Sequence, residues 1–233
     1  APMSPTRLLE GLERIGPVFC QLYGQTEGYP LTVLRKGDHN KDDPGLFAAC
    51  GHPCTSVQVA LLDEDGNEVP VGEVGEICAQ APQVMDEYWQ RPEQTAETLA
   101  NGWLHTGDMA FADERGFLYI VDRKKDMIIT GGFNVFPREI EDVLTTDQNV
   151  AMAAVIGVPD DKWGEAVKAV VIPRPGAEID VDALIQRVRD AKGAVQAPKS
   201  VDIVEEIPLT PLGKPDKKAL RETYWAGQGR RVG

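Results

Sequence analysis

Two strand–turn–strand patterns stand back to back in the middle of this chain, separated by a run of charge. The first reads DMAFAD (108–113), turn DERG, FLYIV (117–121); the second reads DMIIT (126–130), turn Gly131-Gly132, FNVF. Apolar residues alternating on either side of such turns define β-hairpins. Between them DRKKD (122–126) has nothing apolar to bury and reads as a link between two bodies. Beyond the second hairpin the period changes. Pro137 opens a helix whose Ile140, Val143 and Leu144 share one face, with Glu139, Glu141 and Asp142 placed early in it. VAMAAVIGV (150–158) and AVKAVVIP (166–173) are strands, Asp180 caps a helix carrying Val181, Leu184, Ile185 and Val188, and VDIVEEI (201–207) is a last strand. Upstream lie a short helix at 7–15, an apolar strand at 17–22, and paired strands VQVALLD (57–63) and VGEICAQ (74–80) around an Asp65-Gly66 turn. The expected fold class is therefore α+β in two parts, β-rich first, then a small α+β domain of its own.

Composition narrows the function. With 42% hydrophobic residues the 233-residue chain is globular, and no run reaches the length of a membrane span or resembles a signal peptide. A net charge of −13 disfavours nucleic acid or an anionic membrane as partner, while a nucleotide needs only a few local cations. Cys20, Cys50, Cys54 and Cys78 lack disulfide-framework spacing, which suits a reducing cytoplasm. CGHPC (50–54) brings two thiols and His52 together, but without a C-x2-C pair it is a poor zinc motif.

Four stretches carry possible chemistry. In QLYGQTEG (21–28), Tyr23 offers a planar face, Gly24 permits a sharp turn, and Thr26 beside Glu27 offers hard oxygens for Mg2+ and polyphosphate. In GWLHTGD (102–108), Asp108 ends a turn at the head of a hairpin, placed to accept from two adjacent hydroxyls such as those of ribose. Arg123 follows Asp108 by 15 residues, and the hairpin between them is expected to return it to the same sugar or a phosphate. Gly131-Gly132 is too short for a phosphate loop and reads as a hairpin turn. In PLTPLGKPDKKALRE (208–222), Pro208, Pro211, Gly213 and Pro215 confine the backbone around Lys214. Pro215 and Asp216 suit the first turn of a helix that carries Ala219, Leu220 and Tyr224 on its sticky side. Taken singly, each stretch also reads as an ordinary turn, cap or solvated side chain.

In this order and spacing, YGQTE, GWLHTGD, DRKKDMIITGGFNVFPREIE and PLTPLGKPDKKALRE resemble successive core motifs of the acyl-adenylate-forming superfamily, along essentially the whole chain. That superfamily comprises acyl-CoA synthetases, firefly-type luciferases and peptide-synthetase adenylation domains. The resemblance implies that Tyr23 stacks on adenine, Thr26 touches phosphate, Glu27 holds Mg2+, and Asp108 and Arg123 bind the ribose. It implies that Lys125 is a hinge, that Lys214 bridges the carboxylate and the α-phosphate during adenylation, and that Gly131, Gly132 and Phe133 line the pantetheine channel. GGFNVFPREIE favours acyl-CoA synthetases, and Ile129, where luciferases usually have lysine, disfavours light production. Trp163-Gly164-Glu165 resembles a recurrent synthetase loop, and Thr55-Ser56 departs from a second proline-glycine turn found in many relatives.

The resemblance thus implies a cytoplasmic, ATP-dependent carboxylic acid–CoA ligase for fatty or related acids, using ATP, Mg2+ and CoA. The alternatives are an enzyme that loads a carrier protein and a non-catalytic nucleotide-binding fragment. The family's Ser/Thr/Gly-rich phosphate loop precedes YGQTE and has no counterpart here, and APMSP resembles the tail of a Gly-Gly-Ala-Pro strand. The expected organisation is the end of the AMP-binding domain at 1–122, a hinge at 123–126 and a small mobile domain at 127–233. The chain is expected to need an N-terminal segment of its own protein and to be inactive alone.

Overall fold

The computed structural model describes residues 3, 5–211 and 213–225, which leaves most of APMSP outside the described residues. The chain divides into two compact units, Ala1–Val121 and Asp122–Gly233.

The first unit opens with α1 (Pro5–Arg14), whose Leu8 and Leu12 pack on Phe47. Strands β1 (Gln21–Gln25), β2 (Gly28–Leu34) and β3 (His52–Pro53) form one antiparallel sheet. The strand expected at 17–22 thus begins later. Pro17 has no N–H to give a ladder, and Phe19 leaves the sheet to join the cluster around α1. The second sheet is an antiparallel meander. In it β4 (Gln58–Leu62) and β5 (Gly75–Gln80) are followed, after α2 (Pro92–Thr98), by β6 (Leu104–Ala112) and β7 (Leu118–Arg123). Apolar alternation explains the packing: Leu61, Ile77, Ala110 and Leu118 share one cluster, while Leu31, Val57, Ala79 and Leu104 share another. Before β4, Ser56 takes φ 65°, the left-handed conformation glycine usually supplies, so Thr55-Ser56 still makes a tight turn.

In the second unit β8 (Ile128–Thr130) and β9 (Phe133–Val135) form the expected hairpin, with Gly131 and Gly132 both at positive φ (58° and 83°). Helix α3 (Pro137–Leu144) follows, then a long hairpin of β10 (Val150–Asp160) and β11 (Gly164–Pro173). Helix α4 (Val181–Lys192) is capped as its sequence predicts, with the Asp180 carboxylate accepting from the Ala183 N–H at 3.0 Å. Strand β12 (Ser200–Ile203) pairs parallel to β11, and α5 (Lys217–Tyr224) closes the described chain.

Both faces of this sheet are covered. Val155, Val167, Ala169 and Val171 pack with Ile140 and Leu144 of α3 and Leu184 and Val188 of α4. Ala154, Ile156 and Val170 face the other way, onto Leu220 of α5. Burial on both faces is why these strands read as continuous apolar runs.

Candidate functional site

Strands β1 and β6 bring Tyr23 and Asp108 together. The Tyr23 hydroxyl donates to Asp108 Oδ2 at 2.7 Å, across 85 residues of sequence. Asp108 lies inside β6 with 6% exposure, not at an exposed turn, and its N–H donates to the Thr106 hydroxyl. The expected turn is displaced because β6 runs unbroken through His105 and Asp108, with Gly107 absorbing the irregularity at φ 70°. Burial, and then the neighbouring Asp108 charge, push the Tyr23 phenol well above its usual range, so this pair stays a neutral donor on a carboxylate.

Gly24 also differs from expectation. It lies within β1 at a register shift rather than at a sharp turn, and a Cβ there would meet the Gly28 carbonyl oxygen at 2.7 Å. Its requirement is close backbone approach. The turn itself falls on Thr26 and Glu27, between β1 and β2. Thr26 is exposed, and the Glu27 carboxylate accepts from the Tyr88 hydroxyl at 2.6 Å. Nothing in the sequence near EYW marks Tyr88 as the partner of a residue 61 positions away.

Glu76 is a second residue that the motifs do not mark. It is 5% exposed, and its Oε1 accepts from the Gly107 N–H at 2.9 Å, immediately before Asp108. CGHPC, by contrast, spends its groups on packing. The His52 and Phe117 ring centroids lie 4.0 Å apart, and the half-buried Cys50 thiol donates to the Leu118 carbonyl, its pKa pushed up to about 11 by burial.

In the second unit Arg123 and Lys125 are exposed at the end of β7 and in the short 3-10 turn that follows. Asp122 braces this segment: Oδ1 accepts from the Arg123 N–H and Oδ2 from the Arg138 N–H, both at 2.8 Å. Asp126 pairs with Arg221 of α5 at 2.9 Å. Gly131, Gly132 and Phe133 form an exposed turn, with Phe133 59% exposed. Beneath it the Gly131 N–H donates to the Trp163 carbonyl, and a Cβ on Gly131 would sit 2.6 Å from the Trp163 ring.

Lys214 is exposed on a closed turn. The Thr210 N–H donates to the Lys214 carbonyl at 2.7 Å, the Lys214 N–H donates to the Thr210 hydroxyl, and the Asp216 N–H donates to the Pro208 carbonyl. Pro215 precedes α5 instead of opening it, and Asp216 is the cap, accepting from the Ala219 N–H at 3.1 Å. The constraint around Lys214 is therefore a bridged loop, with Leu209 opposite Pro215.

In this arrangement and its motifs the chain is similar to the AMP-binding, acyl-adenylate-forming enzymes. The AMP-binding enzyme family model matches residues 1–89, and the AMP-binding enzyme C-terminal domain model matches 139–214. The chain is 53% identical to the medium/long-chain-fatty-acid–CoA ligase FadD8 of Mycobacterium tuberculosis, over 99% of this chain and 41% of that protein. It is 38% identical to the fatty acid–[acyl-carrier-protein] ligase ScoC of Streptomyces coeruleorubidus, over 100% of this chain and 45% of that protein. The solved amide bond synthetase McbA of Marinactinospora thermotolerans superposes with a TM-score of 0.82 at 42% identity, over 96% of this chain and 46% of that one. The chain thus spans less than half the length of these relatives. Among the described residues no helix is long and apolar enough to cross a membrane.

Proposed function

We propose that the protein carrying this chain is an ATP-dependent carboxylic acid–CoA ligase acting on fatty or related acids. The observation that carries the reading is the Tyr23–Asp108 contact, which sets an aromatic ring beside a buried carboxylate at the motifs for adenine and ribose. The 53% identity to a protein named as a fatty-acid–CoA ligase supports the acid class. A carboxylate oxygen of the acid attacks the α-phosphorus of ATP and pyrophosphate leaves; the CoA thiol then attacks the acyl carbonyl and AMP leaves.

In this proposal Tyr23 lies against adenine, with Gly24 keeping the backbone close to it, and Asp108 and Arg123 take the ribose hydroxyls. Thr26 and Glu27 would hold Mg2+: a hydroxyl next to a carboxylate at a turn is a hard-oxygen donor set that fits it. The ion would neutralise phosphate charge. Lys214 bridges the acid and the α-phosphate, and an exposed ammonium on a closed turn suits delivery to developing negative charge. Gly131, Gly132 and Phe133 guide the pantetheine arm, and residues 123–126 act as the hinge between an AMP-binding domain and a mobile small domain. A preceding segment supplies the phosphate loop, and the site of action is the cytoplasm.

Resemblance to ScoC, named for a carrier-protein acceptor, favours a second reading in which the acyl group goes to a carrier. The test uses the full-length protein with separate half-reactions. CoA-dependent release of AMP from fatty acyl-AMP is expected. Acyl-AMP formation without any transfer to free CoA would select the carrier reading, and no pyrophosphate exchange with any acid would end both. Lys214→Ala is expected to abolish acyl-AMP formation and to affect thioester formation from supplied acyl-AMP much less. Equal losses in both steps would assign Lys214 a general structural role.

A further inference from the structure

Glu76 and Cys78 on β5 and His105 on β6 point three different donor atoms at one another, all within 4.8 Å. His105 Nδ1 lies 3.1 Å from Glu76 Oε2 and 3.4 Å from Cys78 Sγ. The strands fix the arrangement. Cys78 is directly opposite His105 in the ladder, and Glu76, two residues earlier in β5, lies on the same face of the strand.

This is not the geometry of a nucleophilic thiol. A Cys–His–acid relay places thiol and carboxylate on opposite nitrogens of the imidazole, whereas here both approach Nδ1. One ring nitrogen carries at most one proton, so it serves only one of the two as donor at a time. A cation at the centre engages all three lone pairs together. Tetrahedral zinc with its usual bond lengths sets neighbouring sulfur, nitrogen and oxygen ligands roughly 3.4–3.6 Å apart; the sulfur–nitrogen separation of 3.4 Å lies in that range and the nitrogen–oxygen separation of 3.1 Å just below it.

We infer that Glu76, Cys78 and His105 form a three-ligand site for a divalent transition metal of the zinc class, with water as fourth ligand. Thiolate, imidazole and carboxylate together favour Zn2+ or Co2+ over Mg2+. Two anionic ligands balance the charge of the ion. The outer support is present as well, since the other Glu76 oxygen accepts from the Gly107 N–H and fixes the carboxylate's orientation. Entry is from the His105 side, where the ring is 24% exposed while Cys78 is fully buried. His105 Nδ1, the ring nitrogen that both other donor atoms approach, is the coordinating atom. The site is independent of the ligase reading, because binding is read without turnover.

Metal-stripped full-length protein is titrated with Co2+ and followed by absorption, with Zn2+ competition and equilibrium dialysis for stoichiometry. One Co2+ per chain is expected, with a near-ultraviolet thiolate-to-metal band that Zn2+ abolishes. Cys78→Ser removes the band, and His105→Gln weakens binding by about tenfold or more. Cys54→Ser, a control away from the cluster, leaves both unchanged. Circular dichroism and thermal melts confirm that each variant is folded. If Cys78→Ser fails to fold, His105→Gln decides alone. Absence of stoichiometric Co2+ binding, a band that survives Cys78→Ser, or unchanged affinity in folded His105→Gln overturns the site.

Discussion

Asp108, a ribose ligand in the proposed function, also bears on stability. Its carboxylate accepts the half-buried Tyr23 hydroxyl, so Asp108→Ala removes that hydrogen bond and is expected to cost about 1–3 kcal/mol of stability. It should also raise the ATP concentration needed for half-maximal rate; denaturant melts and ATP titrations of initial rate measure the two effects. Tyr23→Phe keeps the ring and removes only the hydroxyl. We expect about 1 kcal/mol of destabilisation with ATP dependence changed far less than in Asp108→Ala. If the two substitutions changed ATP dependence equally, the hydroxyl rather than the ring would be the group that matters. At this scale the sequence marks Tyr23, Glu27, Asp108 and Lys214 because motifs carry them. It cannot mark Tyr88 or Glu76, whose partners arrive from 61 and 31 residues away and have no local pattern.

At the scale of elements, the glycine turn and the last helix make separable claims. Gly131 sits at φ 58° with the Trp163 ring where a Cβ would go, so Gly131→Ala meets both backbone strain and a clash. The expected loss exceeds about 1 kcal/mol in stability, and thioester formation should fall with acyl-AMP formation spared. Equal loss in the two half-reactions would mean that the turn is structural only. Helix α5 is held partly by Tyr224, whose hydroxyl donates to Asp202 at 2.7 Å; burial, then that hydrogen bond, pushes the phenol up to about 12. A raised acid pKa stabilises the fold below the unfolded value and loses that contribution as pH climbs toward the folded one. Thermal melts should therefore fall between about pH 10 and 12. Tyr224→Phe should show less of that fall; a fall identical to wild type would place its cause elsewhere. Hairpins, α3 and α4 were legible because turn residues, caps and periodicity agree with tertiary packing. Where they compete, tertiary contacts prevail: Phe19 leaves a predicted strand for the α1 cluster, and Pro215 yields the helix start to Asp216.

For the whole molecule, the proposed hinge has a consequence at Asp122. The Asp122–Arg138 hydrogen bond straddles Lys125 in sequence, so a rotation centred on Lys125 that left Asp122 with the preceding strand would break it. We predict that Lys125→Pro, which fixes φ and restricts Lys124, retains acyl-AMP formation and loses most CoA ligation. Pyrophosphate exchange and thioester release from preformed acyl-AMP read the two steps; normal thioester formation would move the pivot elsewhere. The long β10–β11 hairpin carries another consequence, in the order of assembly. Its strands are joined through residues 161–163, whereas β12 reaches β11 only after the chain has passed through α4. Short loops close at lower entropic cost than long ones, so β10 and β11 should pair first during refolding and recruit the parallel strand later. In pulse-labelled exchange of the refolding protein, the ladder amides of β10 should be shielded before those of β12. The reverse order would mean that the crossover through α4, not the hairpin, nucleates the second unit.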